Sequence, residues 1–466
     1  MKCRGGRGFL IVALTMALAA SIGPQRSTPE MRPPSLVVVV CVDCLRGDQL
    51  GCYGCAEPTS PRIDLLARDS LVFDNAYTNS NWTKPSIASF FTGLLPSEHG
   101  VIKLVESDEA VPDHGMVLSD RALTLAEVFS ARGYRTAAFV YQMHLAPEYG
   151  FAQGFETYKT GPRNAEEIVQ LFVDWYDSLR PGERAFAYLH FLDCHSPYNF
   201  PRKKWTVFGP TDAVAKGHYF NGPGGWKQFR DEVHAGKRDV PPELPVQLLN
   251  MYQGDVRFVD GAVEKLVDYL SRKGGFDESL FALFADHGEN FFEHRVFGHD
   301  PPYFYDEQIR IPMIVKLPES WRMQPGRVER QVQTIDLTAT LSAAAGAPAL
   351  GRGSSLIRTP RRAVDERYII TESEIAATVV RGDFKAYLPA GAMPATVQRL
   401  WDPVRDPSES RDFSQDNPQY TAALESYMEA WRRSAAESSA ALNTSTKSAR
   451  LSPENIKALR ALGYIR

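Results

Sequence analysis

Four apolar, β-rich runs in the 466-residue chain each end on residues able to hold a metal ion or a phosphate. Leu36–Val42 runs into Asp43, Thr136–Tyr141 into Gln142 and His144, Ala185–Leu192 into Asp193 and His195, and Leu280–Ala285 into Asp286 and His287. Carboxylate and imidazole together make a mixed oxygen and nitrogen ligand set, the kind that suits divalent manganese or zinc. Adjacent ligands such as Asp286 and His287 face one ion only where the chain leaves a strand, and Gly288 permits that turn. Thr83 precedes a run that turns apolar at helical spacing and closes on Gly93. A helix starting near Pro85 would set Thr83 at or beside its N-cap, where free amides and the helix dipole favour an anion. A hydroxyl there is a candidate nucleophile toward a phosphorus or sulfur ester, against the plainer reading of an ordinary capping threonine. His195 and His299 are candidates for protonating a leaving oxygen, because imidazole titrates near neutral pH, or for a second metal site with Asp193. Lys84 and Arg46 are candidate phosphate binders, although solvated basic side chains are the commoner case.

These residues need a scaffold that brings strand ends together. Continuous apolar runs separated by helical patterns read as parallel strands buried on both faces, and such sheets bind ligands beyond the carboxyl ends of their strands. Helical patterns cover Pro61–Arg68, Leu123–Arg132, Ala165–Ser178 and Val246–Leu270, with Gly133 and Gly274 at stop positions. The expected fold is therefore α/β, a mostly parallel central sheet with helices on both faces, over residues 35–350. Residues 197–245 are rich in Pro, Gly and aromatic side chains and form a loop-rich insertion that reads as a lid or wall after His195. Short strand patterns at Arg367–Thr371, Ala377–Arg381 and Asp383–Leu388 predict a small antiparallel α+β subdomain over 351–433. Residues 434–466 read as a Ser/Ala/Thr-rich linker and a terminal helix.

Composition narrows the partners. A net charge of −4 argues against nucleic acid held by a general basic field. Lys2, Arg4 and Arg7 precede an apolar stretch from Phe9 to Ala20, the pattern of a signal peptide over residues 1–21, followed by a linker over 22–34. No later run approaches the length of a membrane span, so the expected product is periplasmic or secreted with no span in the mature chain. Cys41-x-x-Cys44 and Cys52-x-x-Cys55 imitate a zinc ribbon, but Cys41 sits inside a strand pattern; a disulfide within the cluster is an alternative. Asn81-Trp82-Thr83 and Asn443-Thr444-Ser445 match the glycosylation pattern, the first by chance if Thr83 lies in a site.

The string Thr83-Lys84-Pro85-Ser86 through Thr92-Gly93 resembles the sulfatase signature of the alkaline phosphatase superfamily, with Thr83 at the nucleophile position. Val42-Asp43-Cys44-Leu45-Arg46, His190-Phe191-Leu192-Asp193-Cys194-His195, Ala285-Asp286-His287-Gly288-Glu289 and Gly298-His299 follow in the family's order. The resemblance implies an alkaline-phosphatase-like layered fold and an ester hydrolase. It implies Asp43, Thr83, Asp286 and His287 around a divalent cation, with manganese or zinc ahead of calcium and a second site open. It also places His144 where such proteins touch substrate. Three departures matter: Thr83 stands where Cys or Ser is converted to formylglycine, Ile87 replaces the usual Arg, and Cys44 stands where many sulfatases carry a second Asp, which removes an oxygen ligand and weakens the case for calcium. A threonine cannot supply that aldehyde, which tilts the substrate toward phosphoric esters of a small molecule, glycan or lipid. A phospho-group transferase and a catalytically silent binding protein are the alternatives.

Overall fold

The computed structural model describes residues 31–102, 114–161, 163–198, 208–210, 225–299, 301–357, 367–391, 393–442, 444 and 448–450. Strand β1 (Leu36–Val42) is seven apolar residues, every one of them buried, because both faces of the sheet are covered. It lies between β5 (Arg184–Phe191) and β6 (Leu280–Ala285), both parallel to it, with Val42 opposite Phe191 on one side and Ala285 on the other. Strands β3 (Tyr134–Val140) and β4 (Thr157–Thr160) continue the parallel half beyond β5. The register brings the carboxyl ends of β1, β3, β5 and β6 to one edge.

Beyond β6 the sheet changes direction. Strand β8 (Met313–Lys316) runs antiparallel to both β6 and β2 (Leu71–Tyr77), and β7 (Arg310–Ile311) is antiparallel to β2. Strand β9 (Gly326–Gln333) pairs with β2 in parallel, so the nine-stranded sheet is mixed, with a parallel half that carries the site. Helices α1 (Pro61–Arg68), α3 (Leu125–Ala131), α4 (Ala165–Asp177) and α6 (Glu243–Arg272) match the predicted patterns, apart from their ends. Helix α2 (Thr83–Thr92) is different, since all ten residues are buried. Phe90 packs 4.8 Å from the Phe284 ring and 5.8 Å from Tyr188, fixing the helix against β6 and β5.

A second, four-stranded antiparallel sheet follows, formed by β10 (Ile369–Glu372), β11 (Ala376–Arg381), β12 (Phe384–Pro389) and β13 (Arg399–Trp401). Helix α7 (Pro418–Leu442) lays Leu424, Met428 and Trp431 on this sheet's core, and Trp431 Nε1 donates to Glu372 Oε1 at 3.0 Å. The helix runs unbroken through position 434, where a linker was expected; Ala435 is buried in the same apolar seam and holds the chain helical. The insertion is not all loop, since α5 (Gly225–His234) lies inside it and α6 begins before its end. Its segments 199–207 and 211–224, the expected signal peptide and the expected terminal helix lie outside the described residues.

The helical turn Pro96–His99 ends on a buried imidazole: His99 Nδ1 accepts from Val101 N–H at 3.1 Å and Nε2 pairs with Ser89 Oγ at 3.0 Å. Burial pushes this group down from 6.5 to about 3. The unfolded chain takes up that proton first, so the stabilisation is whole above about pH 6.5 and is lost as pH falls toward about 3. His99→Gln is expected to flatten the acid slope of stability by up to about 1.4 kcal/mol per pH unit, measured by urea melts across that window. Parallel slopes for the two proteins would count against it.

Candidate active site

Asp43 leaves the end of β1 with its backbone N–H still bonded to Phe191 O at 2.9 Å, so its side chain starts from the sheet edge. Its Oδ2 accepts from Gln142 Nε2 at 2.7 Å, lies 3.3 Å from His190 Nε2, and accepts from Thr83 Oγ1 at 3.3 Å. Burial alone would raise this carboxyl, but the His190 hydrogen bond and then the charges of His195 and His287 hold it well below the usual range. Asp286, one strand away, is pushed the other way by burial and then by the Asp43 charge. Its Oδ1 accepts the backbone N–H groups of His287 at 3.0 Å and Cys44 at 3.4 Å. Its Oδ2 is buried without a hydrogen-bond partner and lies 3.5 Å from His287 Nε2.

Thr83 Oγ1 is 3.2 Å from His287 Nε2, which closes the ring of Asp43, Asp286, His287 and Thr83. Donor atoms of Asp43, Asp286 and His287 all lie within 4.8 Å of one another. Two buried carboxylates so close, one with an oxygen left unpaired, fit a divalent cation between them. His287 Nδ1 is 3.0 Å from Gly288 O, a contact that turns Nε2 toward the centre. Gly288 earns its place differently from the expectation: its φ is not left-handed, and a Cβ there would strike Glu307 O.

Helix α2 begins at Thr83 itself, with Trp82 as N-cap and Pro85 tolerated in the first turn, two residues earlier than the sequence pattern suggests. The hydroxyl is therefore spent on the carboxylate and imidazole rather than on capping. Ser86 Oγ donates to Asp286 O at 2.7 Å and locks the first turn of α2 to the end of β6. Thr83 and Asp286 are thus tied together through that turn.

Lys84 is buried with its Nζ 3.2 Å from the centre of the Tyr149 ring. Its charge bears on His144, whose imidazole is pressed down to about 3 by burial, then by Lys84 and His195. His144 also meets Trp82 edge-on at 6.0 Å. His195 and His299 face each other with ring centres 5.2 Å apart, and His299 is 4.3 Å from the His287 ring.

Two expectations are corrected. Arg46 is not presented to a substrate: it grips Asp48 at 2.7 and 2.9 Å, Glu293 at 2.8 Å and Glu289 O at 3.1 Å, because carboxylates from the neighbouring loop outcompete water for a buried guanidinium. Arg46→Ala is accordingly expected to lower the unfolding free energy by about 2 kcal/mol with KM unchanged; a raised KM at full stability would restore the binding role. Asp193 does not join His195 and His299 in any metal-capable group among the described residues; burial, and then the Glu167 and Glu166 charges, push its carboxyl up to about 7. Among the described residues the metal-capable groups near those histidines contain Cys44 instead. The five described cysteines are free thiols, so no disulfide closes the cluster. Asn81 is buried with Nδ2 donating to Tyr303 O at 2.7 Å, which leaves no room for a glycan; Asn443 lies outside the described residues.

His190 was missed as a site residue. It is a lone imidazole inside an apolar strand, and that break in the run was the available signal. Tyr188 OH meets its Nδ1 at 2.7 Å, leaving Nε2 to Asp43. Glu289 is a second such residue, lying 3.3 Å from His299 Nδ1 and accepting from Tyr198 OH at 2.7 Å.

A mixed sheet between helices, an antiparallel sheet behind it and ligands at the parallel strand ends define an alkaline-phosphatase-like layered protein. The chain belongs to the sulfatase family, whose model matches residues 35–347. It is 35% identical to human Arylsulfatase A over 150 residues, 31% of this chain and 27% of that protein. It is 24% identical to the Ulvan-active sulfatase of Formosa agariphila over 324 residues, 66% of this chain and 60% of that one. The chain thus spans less than two thirds of these relatives' length. The phosphonate monoester hydrolase of Agrobacterium radiobacter shares the fold with a TM-score of 0.68 at 18% identity, covering 86% of this chain and 96% of that one.

Proposed function

We propose that the chain is an exported, metal-dependent ester hydrolase that acts on a phosphoric ester through Thr83. The observation that carries this reading is the Thr83 hydroxyl, within 3.3 Å of Asp43 Oδ2 and 3.2 Å of His287 Nε2 where a formylglycine precursor would otherwise stand. Asp43, Asp286, His287 and Thr83 would hold the cation, with zinc or manganese the best match to their oxygen and nitrogen donors. A bound divalent ion supplies the positive charge that makes the Thr83 oxygen a nucleophile near neutral pH and draws in the ester's non-bridging oxygens.

The chain's own residues do the rest. Thr83 Oγ gives up its proton to solvent and forms the bond to phosphorus as the ester oxygen leaves in line, and it regains a proton from solvent when the adduct is hydrolysed. His299 or His195 gives the leaving oxygen its proton and takes one back from water when the Thr83 adduct is hydrolysed. Glu289 and Ser196 O orient the two imidazoles, at 3.3 and 2.5 Å. Gln142 and His190 keep Asp43 turned toward Thr83. Lys84, next to Thr83 in the chain, and His144 would meet the ester's remaining oxygens or its leaving group. Phosphorus is favoured over sulfur by Thr83 and Ile87, and the fold itself is shared with a phosphonate monoester hydrolase.

No helix among the described residues is long and apolar enough to cross a membrane. The N-terminal residue pattern supports export to the periplasm or medium. A panel of bis-p-nitrophenyl phosphate, p-nitrophenyl phosphate, a phosphonate monoester and p-nitrophenyl sulfate tests the reaction. A phosphorus ester should turn over fastest, and acid quenching should leave a phosphorus adduct on the Thr83 peptide by mass spectrometry. Fastest turnover of the sulfate, or an adduct elsewhere, would defeat the reading.

A further inference from the structure

Cys44 follows Asp43 directly at the end of β1, and its surroundings are those of a ligand. It is buried, in a left-handed conformation at φ 59° that non-glycine residues adopt at a cost. That turn carries the thiol into the site. Its Sγ is 3.3 Å from Asp43 Oδ1, 3.6 Å from His299 Nδ1 and 3.8 Å from His287 Nδ1. Cys44 belongs to two of the clusters whose donor atoms all fall within 4.8 Å, one with Asp43 and His195 and one with His287 and His299.

The second nitrogen of each imidazole narrows the set. His287 Nδ1 has Gly288 O at 3.0 Å, while its Nε2 faces Asp43, Asp286 and Thr83, so this ring serves the centre already described. His195 Nδ1 has Ser196 O at 2.5 Å, the kind of carbonyl partner that orients a metal-bound histidine through its other nitrogen. His299 offers Nδ1 to the thiol side, with Glu289 Oε1 3.3 Å from that same nitrogen. The two rings meet edge to face with centres 5.2 Å apart, on the same side as the Cys44 thiol. Zinc bonds of about 2.3 Å to sulfur and about 2.0 Å to nitrogen at a tetrahedral angle put those two atoms about 3.5 Å apart. The 3.6 Å from Cys44 Sγ to His299 Nδ1 matches that spacing.

We propose that Cys44, His195 and His299 hold a second divalent cation of zinc class, with Asp43 bridging it to the ion between Asp286 and His287. Asp43 suits the bridge because Oδ1 faces Cys44 while Oδ2 faces Thr83. The thiol is bound as thiolate, its proton released to solvent as the sulfur–metal bond forms. One sulfur ligand turns the preference of the pair away from calcium, which takes oxygen donors, and toward zinc or cobalt. The inference rests on the first cation of the proposed function and adds a second one to it; with that second ion bound, His195 and His299 are its ligands and the leaving oxygen takes its proton from solvent instead of from either imidazole.

Cobalt reports the sulfur directly. The full chain, stripped of metal and titrated with cobalt(II), is expected to bind two ions and to develop the near-ultraviolet band of a thiolate–cobalt bond. Cys44→Ser should lose the band and fall to one ion, and His299→Ala should fall to one ion as well. Asp286→Asn should weaken the other ion and keep the band. Elemental analysis after zinc loading gives the same counts. One ion and no thiolate band in the unaltered chain would overturn this inference and leave the first centre standing; no ion at all would overturn both. Should Cys44→Ser not fold, Cys44→Asp, which restores the family's oxygen ligand, is expected to lose the band and shift the metal-dependent rise in melting temperature from zinc toward calcium. A zinc preference unchanged by that substitution counts against a sulfur ligand.

Discussion

Thr83→Ala is expected to reduce kcat/KM toward a phosphorus ester by a factor on the order of 10⁴ or more, the scale seen when a covalent nucleophile is removed. The substitution deletes one oxygen and one methyl from a site that also loses a hydrogen-bond partner of Asp43 and His287. Gln142 and His190 remain on Asp43, so the carboxylate keeps its orientation and the fold should survive. Thr83→Ser keeps the attacking oxygen and is expected to retain most of the turnover, with some loss because the methyl no longer restricts the side-chain rotamer. Rates for the three proteins at saturating metal, with the adduct followed by mass spectrometry, separate attack by this hydroxyl from attack by water. If Thr83→Ala keeps activity within about tenfold, water is the nucleophile and Thr83 contributes only binding.

That prediction was readable from the sequence for a physical reason. Strands β1 and β6 are apolar on both faces, so their limits coincide with the apolar runs, and the first polar residue after each must emerge at the sheet edge. Asp43 and Asp286 are those residues. The antiparallel half was harder. Pro312 splits β7 from β8, and β9 alternates exposed and buried positions with charged residues, so neither forms an apolar run. Side-chain partners at long separation were hidden altogether. Arg46 finds Glu293, 247 positions away, and Cys44 finds His299, 255 positions away. Residue type alone suggested phosphate binding for Arg46, and its carboxylate partners reverse that assignment. Asp193 shows the opposite failure, because it lies two residues past the end of β5 and belongs to none of the metal-capable groups among the described residues.

Removing the divalent ion is expected to destabilise the protein, and Asp286→Asn should abolish most of that effect. Without an ion, the Asp43 and Asp286 carboxylates sit buried at one point, the second with an unpaired oxygen, and burial and the Asp43 charge both oppose ionisation of Asp286. An ion that binds only the folded chain adds about 4 kcal/mol when its concentration exceeds the dissociation constant about 1,000-fold. Calorimetry with a chelator and then with zinc should show that gain as a rise in melting temperature of the unaltered chain. Asp286→Asn keeps the shape and removes one charge, so its metal-free form should melt at or above the metal-free parent while its response to zinc collapses. Its activity should fall on the order of 10³-fold, since the Thr83 oxygen then lacks the charge that activates it. Equal melting temperatures for the chelated and zinc-loaded parent would show that no ion neutralises these carboxylates, and a full zinc response in Asp286→Asn would place the ion elsewhere.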